Sequence, residues 1–127
     1  MTDLVLIILA VDDVAASRAF YRAAFDWSLA VETPVYVELL MPNGLRLGLY
    51  ERHSYAGNTG ELPVQIPTGA LAPTELYLHT DDIDSAMERI KSAGARELSP
   101  LSLRSWGDEA AYFADPSGNV LVLARTA

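Results

Sequence analysis

The order of hydrophobic and polar positions in the first half of the chain predicts a strand, a helix and three further strands. Leu4 to Val11 form an unbroken run of apolar, mostly branched residues, which is typical of a strand covered on both faces. Asp12 and Asp13 follow this run and predict the N-cap of a helix with apolar positions from Ala15 to Ala24. Three strand-like segments come next, at 28–32, 34–40 and 45–50.

The second half repeats this order. Residues 75–80 predict a strand, and Asp81-Asp82 predicts the cap of a second helix. Its apolar positions have the spacing of one buried helix face: Ile83, Ala86, Met87, Ile90 and Ala93. Gly94 stands where a helix C-terminus favours a left-handed residue. Three strand-like segments complete the chain, near 97–101, 110–114 and 120–125.

Two short signals mark the repetition. Asp12-Asp13-Val14 recurs as Asp81-Asp82-Ile83, and Pro42-Asn43-Gly44 recurs as Pro116-Ser117-Gly118. An internal repeat of this kind indicates that one supersecondary unit is used twice. Each half alone buries little core, so we expect the two halves to pack side by side or to be swapped between two chains.

The segment between the halves has a different composition. Residues 51–73 hold three Gly and three Pro without a periodic pattern, which predicts a loop or linker. We therefore expect one α+β domain over 1–127, with module one at 1–50 and module two at 74–127. Each module has the order βαβββ, and together they are predicted to form a concave mixed sheet whose half-barrels enclose a cavity.

Composition narrows the possible functions. The formal net charge is −8, which argues against nucleic acid or an anionic membrane as the partner. The chain has no Cys and two His, so disulfides, thiolate zinc sites and a cysteine nucleophile are excluded. No targeting segment is visible, so we expect a soluble, cytoplasmic protein. Lys91 is the only lysine and the other basic residues counted in the net charge are all Arg, which suggests a bacterial source.

This layout resembles the vicinal oxygen chelate superfamily, also called the glyoxalase/bleomycin resistance/dioxygenase family. The resemblance covers nearly the whole chain. Its carriers are Val11-Asp12-Asp13-Val14, 17–21 and 25–27 in the first half, and 81–84, 93–95, Trp106-Gly107 and 112–119 in the second. The closing Asp115-Pro116-Ser117-Gly118-Asn119 run is the most specific. Asp26 departs from the pattern, where the family usually has Gly.

The resemblance implies a test for a metal site. Enzymes of the family hold a divalent metal with side chains of the first and last strand of each module, whereas other members bind drugs without metal. The corresponding positions here are Leu6, Gly48, Glu75 and Val122, and only Glu75 is a metal ligand. A catalytic ion normally needs about three protein ligands. We therefore expect no metal and no cofactor; the open alternative is an unusual site of His53, His79 and a carboxylate.

Strand alternation predicts which side chains line the concave face. The predicted wall is apolar and aromatic with a few polar groups, as in a small-molecule pocket. The candidate ligand-binding residues are Tyr36, Glu38, Arg46, Tyr50, Glu75, Tyr77, His79, Trp106 and Tyr112. Because an unpaired buried carboxylate is costly, Glu75 should have Arg46, a Tyr hydroxyl or a cationic ligand as its partner.

These features predict a metal-independent, homodimeric protein that binds and sequesters an aromatic or cationic small molecule, with antibiotic resistance by drug binding as one possible role. An enzyme is the alternative, either a lyase or a dioxygenase with a non-standard metal site, or a metal-free enzyme with Glu75 as the general base. In a third interpretation the pocket is filled by its own side chains and the chain is an interaction subunit.

Overall fold

The computed structural model describes residues 1–127, which form eight strands and three helices. The elements are β1 (Leu6–Val11), α1 (Val14–Ala24), β2 (Ser28–Glu32), β3 (Tyr36–Leu40), β4 (Arg46–Glu51), α2 (Arg52–Thr59), β5 (Glu75–His79), α3 (Ile83–Ser92), β6 (Arg96–Leu103), β7 (Asp108–Ala114) and β8 (Val120–Thr126). The chain divides into two compact units, one of Met1–Arg22 with Asp26–Gln65 and one of Ala23–Phe25 with Ile66–Ala127. The predicted α+β class with two βαβββ-like arrangements is confirmed.

The first unit contains an open four-stranded mixed sheet in the order β1-β4-β3-β2. β1 runs parallel to β4, and the other neighbours are antiparallel. One face of this sheet is the core face, where Leu9, Leu49 and Val37 are paired across three strands and are almost completely buried. Because side chains alternate along a strand, residues next to these in sequence lie on the opposite face.

The second unit contains a sheet of the same topology, in the order β5-β8-β7-β6. Leu121 and Leu123 of β8 are buried on its core face, and α3 contacts β8. Ile83 and Ile90 of α3 are buried, as the predicted apolar helix face requires. The edge strand β6 has an irregular register with β7 and contains Pro100, which has no N–H with which to pair a further strand.

The segment 51–73 differs from the predicted loop at its start, because residues 52–59 form α2. The side chain of Glu51 accepts hydrogen bonds from the backbone N–H groups of His53 and Ser54 and so caps the helix. Gly60, with φ 83°, ends it through a hydrogen bond to the Ala56 carbonyl. A helix of two turns is too short to give a periodic apolar pattern. Its N-cap is Glu51, and Glu is not among the residues that usually predict an N-cap. None of the three helices has the length and apolar character that a membrane span requires.

The most specific sequence motif is a structural turn between β7 and β8. Asp115 Oδ1 accepts hydrogen bonds from the backbone N–H groups of Ser117 and Asn119, at 2.9 and 2.8 Å. Asn119 donates its side-chain amide to Asp115 Oδ2 and accepts a hydrogen bond from the Thr74 hydroxyl at 2.7 Å. The motif therefore fastens the residue before β5 to the start of β8, which sets the parallel pairing of these two strands.

Candidate functional site

Four predicted site residues lie together on the first sheet, on the face opposite its core. The register pairs Tyr36 with Tyr50 and Glu38 with Gly48, and Arg46 pairs with Leu40 one step further along. Alternation therefore directs Tyr36, Glu38, Arg46 and Tyr50 to the same side. We call these four residues the first-sheet cluster.

Glu38 is the centre of the first-sheet cluster and is only 6% exposed. The Tyr36 hydroxyl donates a hydrogen bond to Glu38 Oε1 at 2.6 Å, and Arg46 Nη1 donates to Glu38 Oε2 at 2.7 Å. The Tyr36 hydrogen bond, assisted by the Arg46 guanidinium, lowers the pKa of Glu38 although burial opposes this. Burial and the adjacent Glu38 carboxylate raise the pKa of Tyr36. The carboxylate is thus held ionised beside a phenol that keeps its proton.

Gly48 makes room for this arrangement. A Cβ at Gly48 would lie 2.7 Å from the Tyr36 hydroxyl oxygen and 3.0 Å from Ile8 Cγ1. The Tyr36 ring lies 4.9 Å from the Tyr50 ring, and the Tyr50 ring lies 5.5 Å from that of Tyr55 on α2. The three aromatic rings therefore form a continuous row, and Tyr36 at one end of it contacts the buried carboxylate. Sequence reasoning missed Tyr55 because α2 was not predicted.

A second cluster lies on the second sheet. Tyr77 and His79 alternate onto one face of β5, and their register partners on β8 are Val122 and Ala124. β7 begins at Asp108, two residues earlier than the predicted strand. Ala110 pairs with Ala124, as His79 does, and Asp108 lies two residues before Ala110, so alternation places it on the same face. Trp106 lies in the turn before β7. We call Tyr77, His79, Trp106 and Asp108 the second-sheet cluster.

Hydrogen bonds connect all four members of the second-sheet cluster. The Tyr77 hydroxyl donates to Asp108 Oδ2 at 2.7 Å and accepts from Trp106 Nε1 at 2.8 Å. His79 Nε2 lies 3.2 Å from the same Asp108 Oδ2. Partial burial, and then the hydrogen bond to Asp108, raise the pKa of Tyr77. Asp108 Oδ1 makes no hydrogen bond within the chain, although the Asp108 side chain is only 18% exposed.

Arg104 fastens the hairpin that carries Trp106 and Asp108. Its guanidinium donates hydrogen bonds to the Ala110 and Pro100 carbonyls and to the Ser99 hydroxyl, at 2.8 to 3.2 Å. It also lies 4.9 Å from the centre of the Tyr112 ring, within the range of a cation–π contact. Tyr112 packs against the buried residues of this face, so Arg104 covers one of its ring faces. Arg104 is not among the predicted site residues, because no local pattern marks its role.

The other candidates lie outside the two clusters. Glu75 is exposed and makes no hydrogen bond or ion pair, so the expected partner for a buried carboxylate is not needed. Arg46, one of the partners considered for it, binds Glu38 instead. His53 is exposed on α2 and lies 3.1 Å from Glu51.

A groove of about 340 Å³ is present in the first unit beside α1, away from the first-sheet cluster. Val37 of its wall points to the opposite face of β3 from Tyr36 and Glu38. Its polar lining is the ion pair of Arg18 and Glu32, 2.9 Å apart, together with Thr33. The two opposite charges are paired, although Arg18 Nε makes no hydrogen bond of good geometry.

A family model described as the glyoxalase/bleomycin resistance protein/dioxygenase superfamily matches residues 3–123. The chain belongs to this superfamily. The resemblance drawn from its sequence motifs is therefore confirmed. An uncharacterized protein of Mycobacterium bovis, Mb0911c, is 27% identical over 117 residues, which are 87% of this chain and 75% of that protein. An uncharacterized protein of Mycobacterium tuberculosis, Rv0887c, has the same identity over 67% of its own length.

Solved structures of the superfamily have the same fold. A glyoxalase-related enzyme from Fulvimarina pelagi superposes with a TM-score of 0.85 at 24% identity, covering 98% of this chain and 88% of that one. A superfamily enzyme from Burkholderia phytofirmans has a TM-score of 0.80 at 18% identity, covering 99% of this chain and all of the other. At such identities these likenesses concern the fold alone.

The metal that enzymes of this superfamily hold does not fit the residues of this chain. On the first sheet the two corresponding positions are Leu6 and Gly48, and the space above Gly48 is taken by the Tyr36 hydroxyl. On the second sheet they are Glu75 and Val122, and no Asp, Glu or His triplet gathers anywhere in the chain. His53 and His79 belong to different units and neither joins such a group. The candidate chemistry is therefore that of the two clusters.

Proposed function

We propose that this protein binds an aromatic small molecule that carries a protonated amine, using the second-sheet cluster and no metal ion. The observation that carries this proposal is the state of the Asp108 carboxylate. Its Oδ2 is engaged by Tyr77 and His79, while its Oδ1 has no partner. An accessible carboxylate oxygen without a donor, on a side chain that is otherwise largely buried, favours binding of an ammonium group through a charge-assisted hydrogen bond.

The surroundings of Asp108 support an aromatic ligand. Trp106 is 55% exposed and Tyr77 is 38% exposed, and both side chains are connected to Asp108 by the hydrogen-bond chain described above. Exposed indole and phenol rings beside a carboxylate provide stacking surfaces and attract cations through their faces. The net charge of −8 also favours the approach of a cation.

Binding of this kind has a biological role. A protein that binds an aromatic amine drug tightly lowers the free drug concentration, which would produce antibiotic resistance by sequestration. We propose that the protein is a homodimer and that it acts in the bacterial cytoplasm. Sedimentation of the purified protein tests the dimer, and the growth of a host expressing it in the presence of aromatic amine antibiotics tests the resistance.

Tryptamine and its neutral analogue 3-methylindole are suitable probes for the binding itself. We expect isothermal titration calorimetry to show binding of tryptamine at least about tenfold tighter than that of 3-methylindole, because only tryptamine pairs with Asp108. In ¹⁵N-labelled protein, tryptamine should shift the indole N–H signal of Trp106, which the Trp106→Phe variant assigns against Trp27. The Asp108→Asn variant should lose about tenfold or more in tryptamine affinity.

Glu109→Gln is the matched control. Glu109 is the neighbouring carboxylate on β7, its side chain points to the other face, and it pairs with Arg125 at 3.2 Å. The affinity of the Glu109→Gln variant for tryptamine should equal that of the unaltered protein. Equal affinities for Asp108→Asn and Glu109→Gln, in variants with unchanged circular dichroism spectra, would overturn the proposal.

The contact between His79 and Asp108 supports a second candidate function, a metal-free enzyme. A histidine oriented by a carboxylate is an arrangement used for general acid–base catalysis, and the His79 side chain is 58% exposed. Glu75, exposed on the same strand face, is the other candidate base. Mass spectrometry of the ligand after incubation separates the two functions. A binding protein returns the ligand unchanged, whereas an enzyme converts it and loses the conversion in His79→Gln or Glu75→Gln.

A further inference from the structure

Arg46 of the first-sheet cluster presents hydrogen-bond donors that nothing in the chain accepts. Its side chain is 51% exposed, and Nη1 donates to Glu38. The guanidinium carries five N–H groups, and its other donors have no partner in the chain. The solvent side of this group is therefore free to bind an acceptor.

Glu38 holds this guanidinium in place. The carboxylate accepts from Tyr36 on one oxygen and from Arg46 on the other, so both of its oxygens are occupied. Because Glu38 is also almost completely buried, it is not accessible to a cationic ligand. An arginine that is oriented before binding loses less conformational entropy when it forms a complex. Glu38 thus acts as a positioning residue for Arg46.

The surface around Arg46 is apolar and aromatic. Its register neighbours are Leu6 on β1 and Leu40 on β3, and Leu40 is 38% exposed. Ile8, one step along the same face, is 37% exposed. The rings of Tyr36 and Tyr50 continue this surface beyond Gly48. A ligand that places an acceptor on Arg46 would therefore place its carbon skeleton against hydrocarbon and aromatic rings.

We propose that the first-sheet cluster is a second binding site, independent of the second-sheet cluster, which takes the carboxylate of a planar aromatic acid on Arg46. Arginine binds carboxylates through two parallel N–H···O bonds, and this geometry suits a planar fork held at one edge by Glu38. The net charge of −8 opposes anions at long range. Salt screens that repulsion beyond about 10 Å at 0.1 M, so at contact the guanidinium donors decide the outcome.

The probes for this site are 2-naphthoate and its neutral analogue 2-naphthamide. We expect calorimetry to give a naphthoate affinity about tenfold higher than the naphthamide affinity, and Arg46→Met to lose about tenfold or more for naphthoate. Arg46→Lys should retain part of the affinity, because an ammonium keeps the charge but not the fork. Glu38→Gln should weaken naphthoate binding several-fold and naphthamide binding less, since only the carboxylate forms both N–H···O bonds with the oriented Arg46.

Two controls make the test decisive. Arg125→Met removes an arginine of similar exposure that is also paired with a glutamate, and naphthoate affinity should not change. In ¹⁵N spectra, naphthoate should shift the Gly48 amide and the Arg46 Nε–H signals but not the Trp106 indole signal. This readout also separates the proposal from amine binding on the second sheet.

Three results would overturn the proposal. They are unchanged naphthoate affinity in folded Arg46→Met, naphthoate shifts at Trp106 instead of Gly48, and no binding of naphthoate up to about 10 mM. If Arg46→Met does not fold, Arg46→Lys and the spectral mapping in the unaltered protein give the same decision.

Discussion

The hydroxyl oxygen of Tyr36 lies where a side chain at Gly48 would begin, with 2.7 Å between that oxygen and a Cβ built on Gly48. The Tyr36 hydroxyl is also the donor that holds Glu38, so an alanine at 48 cannot be accommodated without disturbing this hydrogen bond. A glycine on this strand is thus explained by a side chain on the neighbouring strand.

Gly48→Ala is therefore expected to destabilise the protein by about 1–3 kcal/mol, because Tyr36 or Ile8 must move. Urea unfolding measures the change. Gly57→Ala is the control, since nothing lies within 4 Å of a Cβ there and Gly57 is inside α2. It should stabilise by about 0.5–1 kcal/mol, because alanine favours helices. If both substitutions have the same sign, the close approach of Tyr36 is not what keeps position 48 small.

Protonation of Glu38 should lower the stability of the folded protein at acidic pH. Its pKa is lowered in the folded state from an ordinary value of 4.5, so its contribution is present above that value and is lost as the pH falls through the folded pKa. Stability measured by urea unfolding should therefore decrease as the pH drops from about 5 to about 2, and the decrease should be shallower in Glu38→Gln. Glu97→Gln, which removes an exposed carboxylate 3.4 Å from Lys91, is the comparison. Parallel pH curves for Glu38→Gln and the unaltered protein would contradict this assignment.

Alanine substitutions at two turn glycines should separate the stability cost of backbone strain from that of steric contact. Gly44 and Gly118 have φ of 90° and 85°, but a Cβ at Gly44 meets nothing within 4 Å, whereas a Cβ at Gly118 would collide with the Ala70 carbonyl oxygen. Gly44→Ala should cost about 1–2 kcal/mol from the left-handed conformation alone. Gly118→Ala should cost about 1–3 kcal/mol more, because a backbone atom must shift. Thermal unfolding of both variants measures the difference, and equal costs would show that residues near Ala70 move freely.

Arg104→Met should loosen the hairpin that carries Trp106. The substitution keeps an apolar stem but removes the hydrogen bonds to Ala110, Ser99 and Pro100 and the contact with the Tyr112 ring. We expect a loss of about 2 kcal/mol in stability, greater mobility of Trp106 by fluorescence anisotropy, and weaker tryptamine binding. Arg96→Met, which removes one exposed hydrogen bond to Gly69, should cost less and leave Trp106 unchanged. A smaller effect for Arg104→Met than for Arg96→Met would show that Arg104 does not support the hairpin.

Much of the first-sheet cluster was predictable, because its residues come from strands that are close in sequence. β3 and β4 are joined by a short turn, so alternation alone placed Tyr36, Glu38, Arg46 and Tyr50 on one face. Alternation did not show that Arg46 would pair with Glu38 and leave Glu75 exposed. Which carboxylate Arg46 pairs with depends on the distances between the ends of the side chains. The alternation of residues along a strand carries no information about these distances.

The second-sheet cluster was predictable only in part. Tyr77, His79 and Trp106 are among the predicted site residues, but Asp108 is not, because the predicted strand begins near Ala110 and leaves Asp108 in the preceding loop. The missing signal is the early start of β7, which follows from the tight turn at Gly107, with φ of 100°, and from the pairing of Asp108 with Thr126. Tyr77 and Asp108 are 31 residues apart, and they meet because both β5 and β7 pair with β8.

The sequence by itself determined the order of the eight strands and of α1 and α3, the duplication of the βαβββ unit and the alternation of side chains within the predicted strands. These properties depend on local propensity, capping and alternation, which act over a few residues. Only the tertiary structure decided which polar groups meet: Glu38 between Tyr36 and Arg46, and Asp108 between Tyr77 and His79. Those contacts require exact strand register, which is set by the pairing of whole strands and not by the local pattern of residues.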